Sequence, residues 1–285
     1  MVNFPLRFPD GKAYALTLSY DDGVTTDIRL TKLMRANGVK GTFNINTGLF
    51  AETEQTYEKG SWGRMTRKQC IETYGDDMEI ALHARTHPFL ERIPLPNAMQ
   101  EVIDDRAEIE RMTGRPTRGM AYPFGTYNDA VVDILRSAGI AYSRTVATTG
   151  KFDIPTDWLR MTGTCHHAAP NLMNLAEEFL GPVNRYGSPK LFYLWGHSYE
   201  FERDDNWEII ERFLQLMGRR PNIWYATNIE IYDYVQAYHR LLWRLDYSVV
   251  ENPSAKDVWI SRFKPGSPET EVITRIPAGQ TVCLN

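Results

Sequence analysis

A chain of 285 residues, 42% hydrophobic and 24% charged, is long enough for one large domain, or one with a small appendage, and has the composition of a soluble globular protein. Its net charge of −4 offers no field to attract nucleic acid or an anionic membrane, so neither is expected as a partner. Cys70, Cys165 and Cys283 are too few and too scattered for a disulfide framework or a Cys-based zinc site.

The N-terminal stretch lacks the basic start and unbroken apolar run of a signal peptide, and no segment approaches the ~18 apolar residues of a membrane span. The expectation is a soluble cytoplasmic protein. A processed secreted form would read the same way, and oligomeric state leaves no trace in the sequence.

Short β-like runs alternate with helical stretches, the pattern of an α/β fold. Ala15–Tyr20 reads as a first strand, followed by a helix over Thr26–Asn37 that stops at Gly38. Thr42–Ile45 is a second strand, and Gly48–Gly63 a loop long enough to cover a site. Glu79–Leu82 is a third strand that runs straight into His83, and Asn97 is expected to cap a long helix ending at Gly114.

Gly119–Tyr122 reads as a strand that stops at Pro123-Phe124-Gly125, and Asn128 caps the helix that follows. Ile140–Arg144, Trp158–Met161, Lys190–Trp195 and Ile223–Thr227 are further strand candidates, with helices near Asn171–Leu180, Asn206–Met217 and Glu230–Leu242. Seven or eight such units in about 240 residues predict a distorted (β/α)7-8 barrel. After Asp246 the character changes to short β runs at Val258–Ser261, Glu271–Ile276 and Thr281–Leu284. The expected organisation is a barrel over residues 1–245 and a small C-terminal β appendage over 246–285.

Chemistry concentrates where apolar runs end. Tyr20-Asp21-Asp22-Gly23 follows the first strand, and a barrel keeps its active site at the C-terminal ends of its strands. Adjacent residues at a strand end point differently, so one carboxylate can bind a metal while its neighbour faces substrate. On its own an Asp-Gly pair is more often a turn. His83 and His87 change that weighting: His-x-x-x-His places two imidazoles on one side of a helical turn, close enough to share an ion.

With no cysteine nearby, two His and one Asp suit Zn²⁺ or a similar divalent ion. His197 ends the buried-strand pattern Leu191–Gly196 and with that cluster reads as a general acid. His166 and His167 are adjacent, so their rings diverge; they read first as loop or supporting residues and second as substrate contacts.

These motifs resemble the polysaccharide deacetylases, carbohydrate esterase family 4 or NodB homology domain: metal-dependent hydrolases that remove N-acetyl groups from amino-sugar polymers on a distorted barrel. The family's Thr-Phe-Asp-Asp-Gly is matched by Ser19–Gly23, its His-Ser/Thr-x-x-His by His83–His87 with Ala84 in place of the hydroxyl, and its late Leu-x-His by Trp195–His197. The resemblance implies Asp21 as catalytic base, Asp22, His83 and His87 as ligands of one divalent ion, and His197 as acid. Zn²⁺ is the first expectation, with Co²⁺, Ni²⁺ or Mn²⁺ as alternatives.

The family's Arg-x-Pro-Tyr/Phe is the departure. Here it reads Ala121-Tyr122-Pro123-Phe124, so the arginine that holds the base is missing from its place. Arg118, Arg144 and Arg160 are candidates to replace it, Arg160 first. The Phe124 backbone N–H can still serve an oxyanion. Tyr122, Trp158 and Trp195 are expected around the substrate pocket, with Trp195 where a smaller aliphatic residue usually lines the acetyl site. Trp62 and Trp207 are possible sugar-stacking surfaces, drawn from a set of seven Trp and fifteen Tyr.

A carbohydrate substrate follows. Two other readings stay open: a hydrolase of small cyclic amides or ureides on the same barrel, and a carbohydrate-binding barrel without activity.

Overall fold

The structure, a computed structural model, describes residues 4–183, 187–264 and 267–284. In chain order its elements are β1 (Leu6–Arg7), β2 (Tyr14–Asp21), α1 (Asp27–Ala36), β3 (Gly41–Ile45), α2 (Arg67–Tyr74), β4 (Glu79–Leu82), α3 (Leu95–Thr113), β5 (Gly119–Ala121), α4 (Asp129–Ser137) and β6 (Tyr142–Thr148). There follow β7 (Met161–Gly163), β8 (Cys165–His166), α5 (Leu172–Leu180), β9 (Lys190–Gly196), α6 (Tyr199–Arg203), α7 (Glu208–Met217), β10 (Ile223–Tyr225) and α8 (Asn228–His239). The tail carries β11 (Leu242–Trp243), β12 (Val249–Glu251), β13 (Val258–Lys264), β14 (Ser267–Ile276) and β15 (Thr281–Cys283).

The expected distorted barrel is present. β2 pairs in parallel with β9 along one edge; along the other it pairs with β10 over Tyr14–Leu16 and with β3 from Leu18 onward. β3, β4, β5, β6 and β7 continue the sheet in parallel. The stretch from Met161 to His166 closes the ring, because β7 pairs with β6 while β8 pairs with β9. Between them the Thr164 N–H donates to Tyr193 O at 2.8 Å, and its Oγ1 accepts the Tyr193 N–H at 3.0 Å.

Strand alternation sorts the side chains. On β2, Leu16, Leu18 and Tyr20 join the apolar layer under the helices, together with Phe43, Ile45, Leu82, Phe192 and Leu194 of neighbouring strands. Truncating one such buried Leu to Ala would cost ~2–5 kcal/mol. The alternate residues Thr17, Ser19 and Asp21 are also buried but polar. Thr17 Oγ1 donates to Asn228 Oδ1 at 2.9 Å, and Glu79 accepts from Thr42 Oγ1, Tyr142 Oη and the Ile229 N–H, so the start of α8 plugs the lower end of the ring. The opposite end, where β2, β4, β5 and β9 finish, carries the chemistry.

Several local expectations are corrected. α3 begins at Leu95 behind Pro94, so Asn97 lies inside the helix rather than capping it; Pro94 and Pro96 suit the helix start, where their missing N–H groups cost nothing. Trp158–Arg160 is a 3₁₀ turn in which Asp157 accepts the Leu159 N–H, and the strand there is Met161–Gly163. α2, opened by a Thr66–Gln69 capping box, was not anticipated.

The appendage consists of two small antiparallel sheets, β1-β13-β14 and β11-β12-β15. β11 begins a few residues before 246, and the N-terminal β1 supplies an edge strand to the first sheet. A separate cluster of Ala237, Leu241, Val250, Val258, Ile260 and Ile276 packs it against the end of α8. No helix among the described residues is long and apolar enough to cross a membrane. All three cysteines are free, Cys70 and Cys165 buried.

Candidate active site

The last residue of β2, Asp21, is buried and its carboxylate is held on both oxygens: Asn44 Nδ2 donates to Oδ1 at 2.8 Å, and Arg144 donates to Oδ2. Arg144, on β6, is itself fully buried, with Trp195 of β9 stacked 4.6 Å from its guanidinium carbon. Burial alone would push the Asp21 carboxyl up; Arg144, with His83 and His197 beside it, outweighs that and holds it down at about 2. The arginine on this carboxylate is therefore Arg144, not Arg160. Arg160 pairs with Asp129 and Asp157 at the surface, and Arg118 pairs with Asp233. Sequence spacing favours Arg160 only if Trp158–Met161 is a strand; as a 3₁₀ turn it faces Arg160 outward.

Asp22 follows in the left-handed region at φ 86°, which turns its side chain away from that of Asp21. Its Oδ1 lies 3.8 Å from His87 Nε2, and the Nε2 atoms of His83 and His87 are 3.1 Å apart. Two ligand atoms at that separation subtend about 98° at an ion ~2.05 Å from each, between octahedral and tetrahedral values. His83 Nδ1 lies 2.8 Å from the Ala121 carbonyl, which fixes the Nδ1–H tautomer and leaves Nε2 bare. Burial, with His83 beside it, lowers His87 to about 4, and burial lowers His83 as well, so both rings are neutral near pH 7. The donor set therefore fits one divalent ion.

The two imidazoles do not meet on a helical turn, as their spacing suggested. Residues 83–87 form a bend with Ala84 and His87 both at φ 58°. The loop is stapled from outside: the His83 N–H donates to Asp105 Oδ2 at 3.1 Å, Asn46 Nδ2 donates to the His83 and Ala84 carbonyls, and the Thr86 N–H donates to Glu101. Phe124 is likewise left-handed at φ 57°. Four non-glycine residues in this region at one site are strain that such a network must hold in place.

Arg64, from the loop ahead of α2, donates to the Asp22 backbone carbonyl and reaches its Oδ1 at 3.1 Å. Nothing in the sequence marked it, since a lone Arg in a long loop has no period or motif.

His197 ends β9 with Nε2 3.8 Å from Asp21 Oδ2; His83 Nε2 lies 3.9 Å from the same oxygen. Phe124 stacks on Phe89 at 3.8 Å and meets the edge of His87, one of the candidate ligands, at 4.4 Å. Its amide lies in the first turn of a 3₁₀ segment, where N–H groups lack partners within the turn. Trp62 stacks on Tyr199 at 4.9 Å, and Tyr199 lies 5.2 Å from the His197 ring.

The other aromatic residues singled out in the sequence have these surroundings. Tyr122 is buried and donates to Leu159 O at 2.8 Å, while Trp158 packs edge-on against Tyr232. Trp195 covers Arg144 and lies with its ring 6.1 Å from that of His197. Trp207 is buried, donates to Glu202 and lies beneath Arg29.

The model of the polysaccharide deacetylase family matches residues 9–143. No curated protein sequence matches the chain. Among solved structures, a putative polysaccharide deacetylase from Mycobacterium smegmatis is 15% identical with a TM-score of 0.54, over 84% of this chain and 96% of that one. The chitin deacetylase of Colletotrichum lindemuthianum is 17% identical with a TM-score of 0.51, over 81% and 92%. The Streptococcus pyogenes deacetylase PplD is 23% identical over 46% of this chain, which spans only 55% of that one, with a TM-score of 0.41. Residues 9–143 thus resemble the polysaccharide deacetylase family, and the chain shares the distorted barrel of these solved structures.

Proposed function

We propose that this protein is a metal-dependent hydrolase that removes N-acetyl groups from amino-sugar oligo- or polysaccharides. The observation that carries the proposal is the nearness of Asp21 Oδ2 to both His83 Nε2 and His197 Nε2, at 3.9 and 3.8 Å. A proton acceptor thus lies within reach of both a candidate metal centre and a candidate acid.

In this reading Asp22, His83 and His87 hold the ion. Zn²⁺ suits the donors best, and Co²⁺, Ni²⁺ or Mn²⁺ are alternatives. A divalent ion there supplies Lewis acidity, polarising an amide carbonyl and acidifying water. Asp21, kept ionised by Arg144, takes the proton from the attacking water as the new C–O bond forms. The Phe124 N–H faces the tetrahedral oxyanion, a contact typically worth ~10²–10³ in rate. His197 gives its Nε2 proton to the departing amine as the C–N bond breaks, releasing acetate; such a step contributes ~10²–10⁴.

Two sequence features had left room for a small cyclic amide substrate: the missing motif arginine and the bulk of Trp195. Arg144 now stands on Asp21, and Trp195 lies against Arg144. The exposed Phe124–Phe89 stack and the Trp62–Tyr199 pair flank the mouth of the site and suit the apolar faces of sugar rings. The test is acetate release from N-acetylglucosamine oligomers by protein that is chelated and then resupplied with Zn²⁺ or Co²⁺. Metal-restored release is expected. No release from protein with bound ion overturns the proposal.

A further inference from the structure

Glu200, on α6 three residues past His197, belongs to none of the motifs that pointed to the site. The Nε2 atoms of His166 and His167 converge on its Oε2, at 3.1 and 3.0 Å. Its other oxygen, Oε1, faces His197 Nδ1 at 3.6 Å. One carboxylate thus lies among three imidazoles; the third is the candidate acid, whose buried Nδ1 has no hydrogen-bond partner among the described residues unless Glu200 Oε1 becomes one.

Two histidines and a carboxylate this close would also suit a cation. One contact decides against that. The Ala168 N–H donates to His166 Nδ1 at 3.2 Å, so the neutral ring carries its own proton on Nε2, the atom that would have to bind. His166 therefore turns a positive N–H edge toward Glu200. His167 is buried, stacked on Tyr20 at 5.7 Å and against Phe201 at 4.1 Å. It also explains Gly196, where a Cβ would overlap the His167 ring. Burial pushes Glu200 up, yet contacts from His166, His167 and His197 outweigh it and hold the carboxyl well below its usual range.

We infer that Glu200, gripped by His166 and His167, is a positioning residue that keeps the His197 Nδ1–H on its own carboxylate and so aims Nε2 at Asp21 and the departing amine. The inference rests on the reading of His197 as the acid. It gives a role to the His166-His167 pair, and it makes the dipeptide and Glu200 one unit although they lie on different elements.

The test uses the full-length Zn²⁺-loaded protein labelled with ¹⁵N-histidine, the His197 signals being assigned with His197→Gln. Free imidazole side chains favour the Nε2–H tautomer, so neutral His197 in the wild type is expected as Nδ1–H. Glu200→Ala should move it to Nε2–H, Glu200→Asp should restore part of the Nδ1–H population, and His166→Gln should give an intermediate mixture. Should Glu200→Ala not fold, Glu200→Gln keeps the volume without the charge and should lower the protonation midpoint of His197. That midpoint also feels Asp21, Asp22, His166, His167 and Tyr199, none of which the Glu200 substitutions remove.

A wild-type His197 in the Nε2–H form overturns the inference. So does a tautomer and midpoint indifferent to Glu200, or a second bound ion per chain that is lost with Glu200. Glu200→Ala should also lower kcat about 10²-fold with little change in KM. A wild type that releases no acetate yet shows the Glu200-dependent tautomer fails the deacetylase proposal alone. An active wild type with an indifferent tautomer fails the positioning inference alone.

Discussion

Arg144 and Asp21 meet across the polar interior of the barrel, from β6 and β2, with both side chains almost completely withdrawn from water. An ion pair this deep is costly to break, because the remaining charge has no partner. Arg144→Leu is therefore expected to destabilise the protein by ~3–5 kcal/mol and to raise the Asp21 carboxyl from its depressed value. The acid limb of the pH–rate profile should move upward in the milder Arg144→Lys. Arg160→Gln, at a residue that pairs with Asp129 and Asp157 and lies over Tyr127 rather than on Asp21, should leave that profile unchanged. A shift with Arg160 rather than Arg144 would reverse the assignment.

Asp21→Asn keeps the shape of the side chain and its neighbours while removing the proton acceptor. Bound metal, counted by elemental analysis, should stay at the wild-type stoichiometry. Turnover should fall by about 10²–10⁴, the usual worth of general base catalysis. Retained activity would remove Asp21 from the role of base.

Protons compete with metal for His83 and His87, and both rings lie below the ordinary imidazole value, His87 at about 4. Metal should therefore stay bound through pH 6 and be lost as the pH falls toward 4. Dialysis at stepped pH followed by elemental analysis reads this directly. Loss near pH 6.5 would mean that the rings titrate as exposed histidines.

Asp105 accepts from the His83 and Thr47 backbone N–H groups and from Thr47 Oγ1, and so anchors the bend that carries both candidate ligands. Asp105→Ala should weaken metal affinity by about 10–100-fold, the usual effect of losing a support behind the ligands. Competition with a chromogenic chelator would show it. Unchanged affinity would mean the bend holds its shape through Asn46 and Glu101 alone.

Asp27 is buried beneath Ser198 and Tyr74, and burial lifts its carboxyl to about 7. Because the folded value is raised above the unfolded one, its contribution to stability is complete below about pH 4 and is lost as pH rises through 7. Over that span the folded state should lose ~1.4 kcal/mol per pH unit from this group. Asp27→Asn should flatten the fall in denaturation midpoint between pH 5 and 7. An unchanged slope would place the proton elsewhere.

Much of the site was legible because its residues stand at strand ends. An apolar run that stops at Asp21-Asp22, at His83 or at His197 is visible in one dimension, and the barrel rule then sets all of them on one face. What could not be read was any partnership across the ring. Arg144, Arg64 and Glu200 reach the site from distant elements, and no local period or spacing records such a contact.

Local backbone explains the remaining differences. The strand read at Trp158–Met161 is a turn because the Asp157 side chain captures the Leu159 N–H, and that alone redirects Arg160 to the surface. His83 and His87 share a site through two left-handed residues, not through helical spacing. The sequence by itself determined the barrel, the sites at which it would carry carboxylate and imidazole, and the small β-rich tail, because periodicity and strand-end position are properties of short segments. Only the tertiary structure decided which arginine neutralises Asp21 and which carboxylate faces His197, because pairing inside a closed sheet depends on which strands the ring makes neighbours.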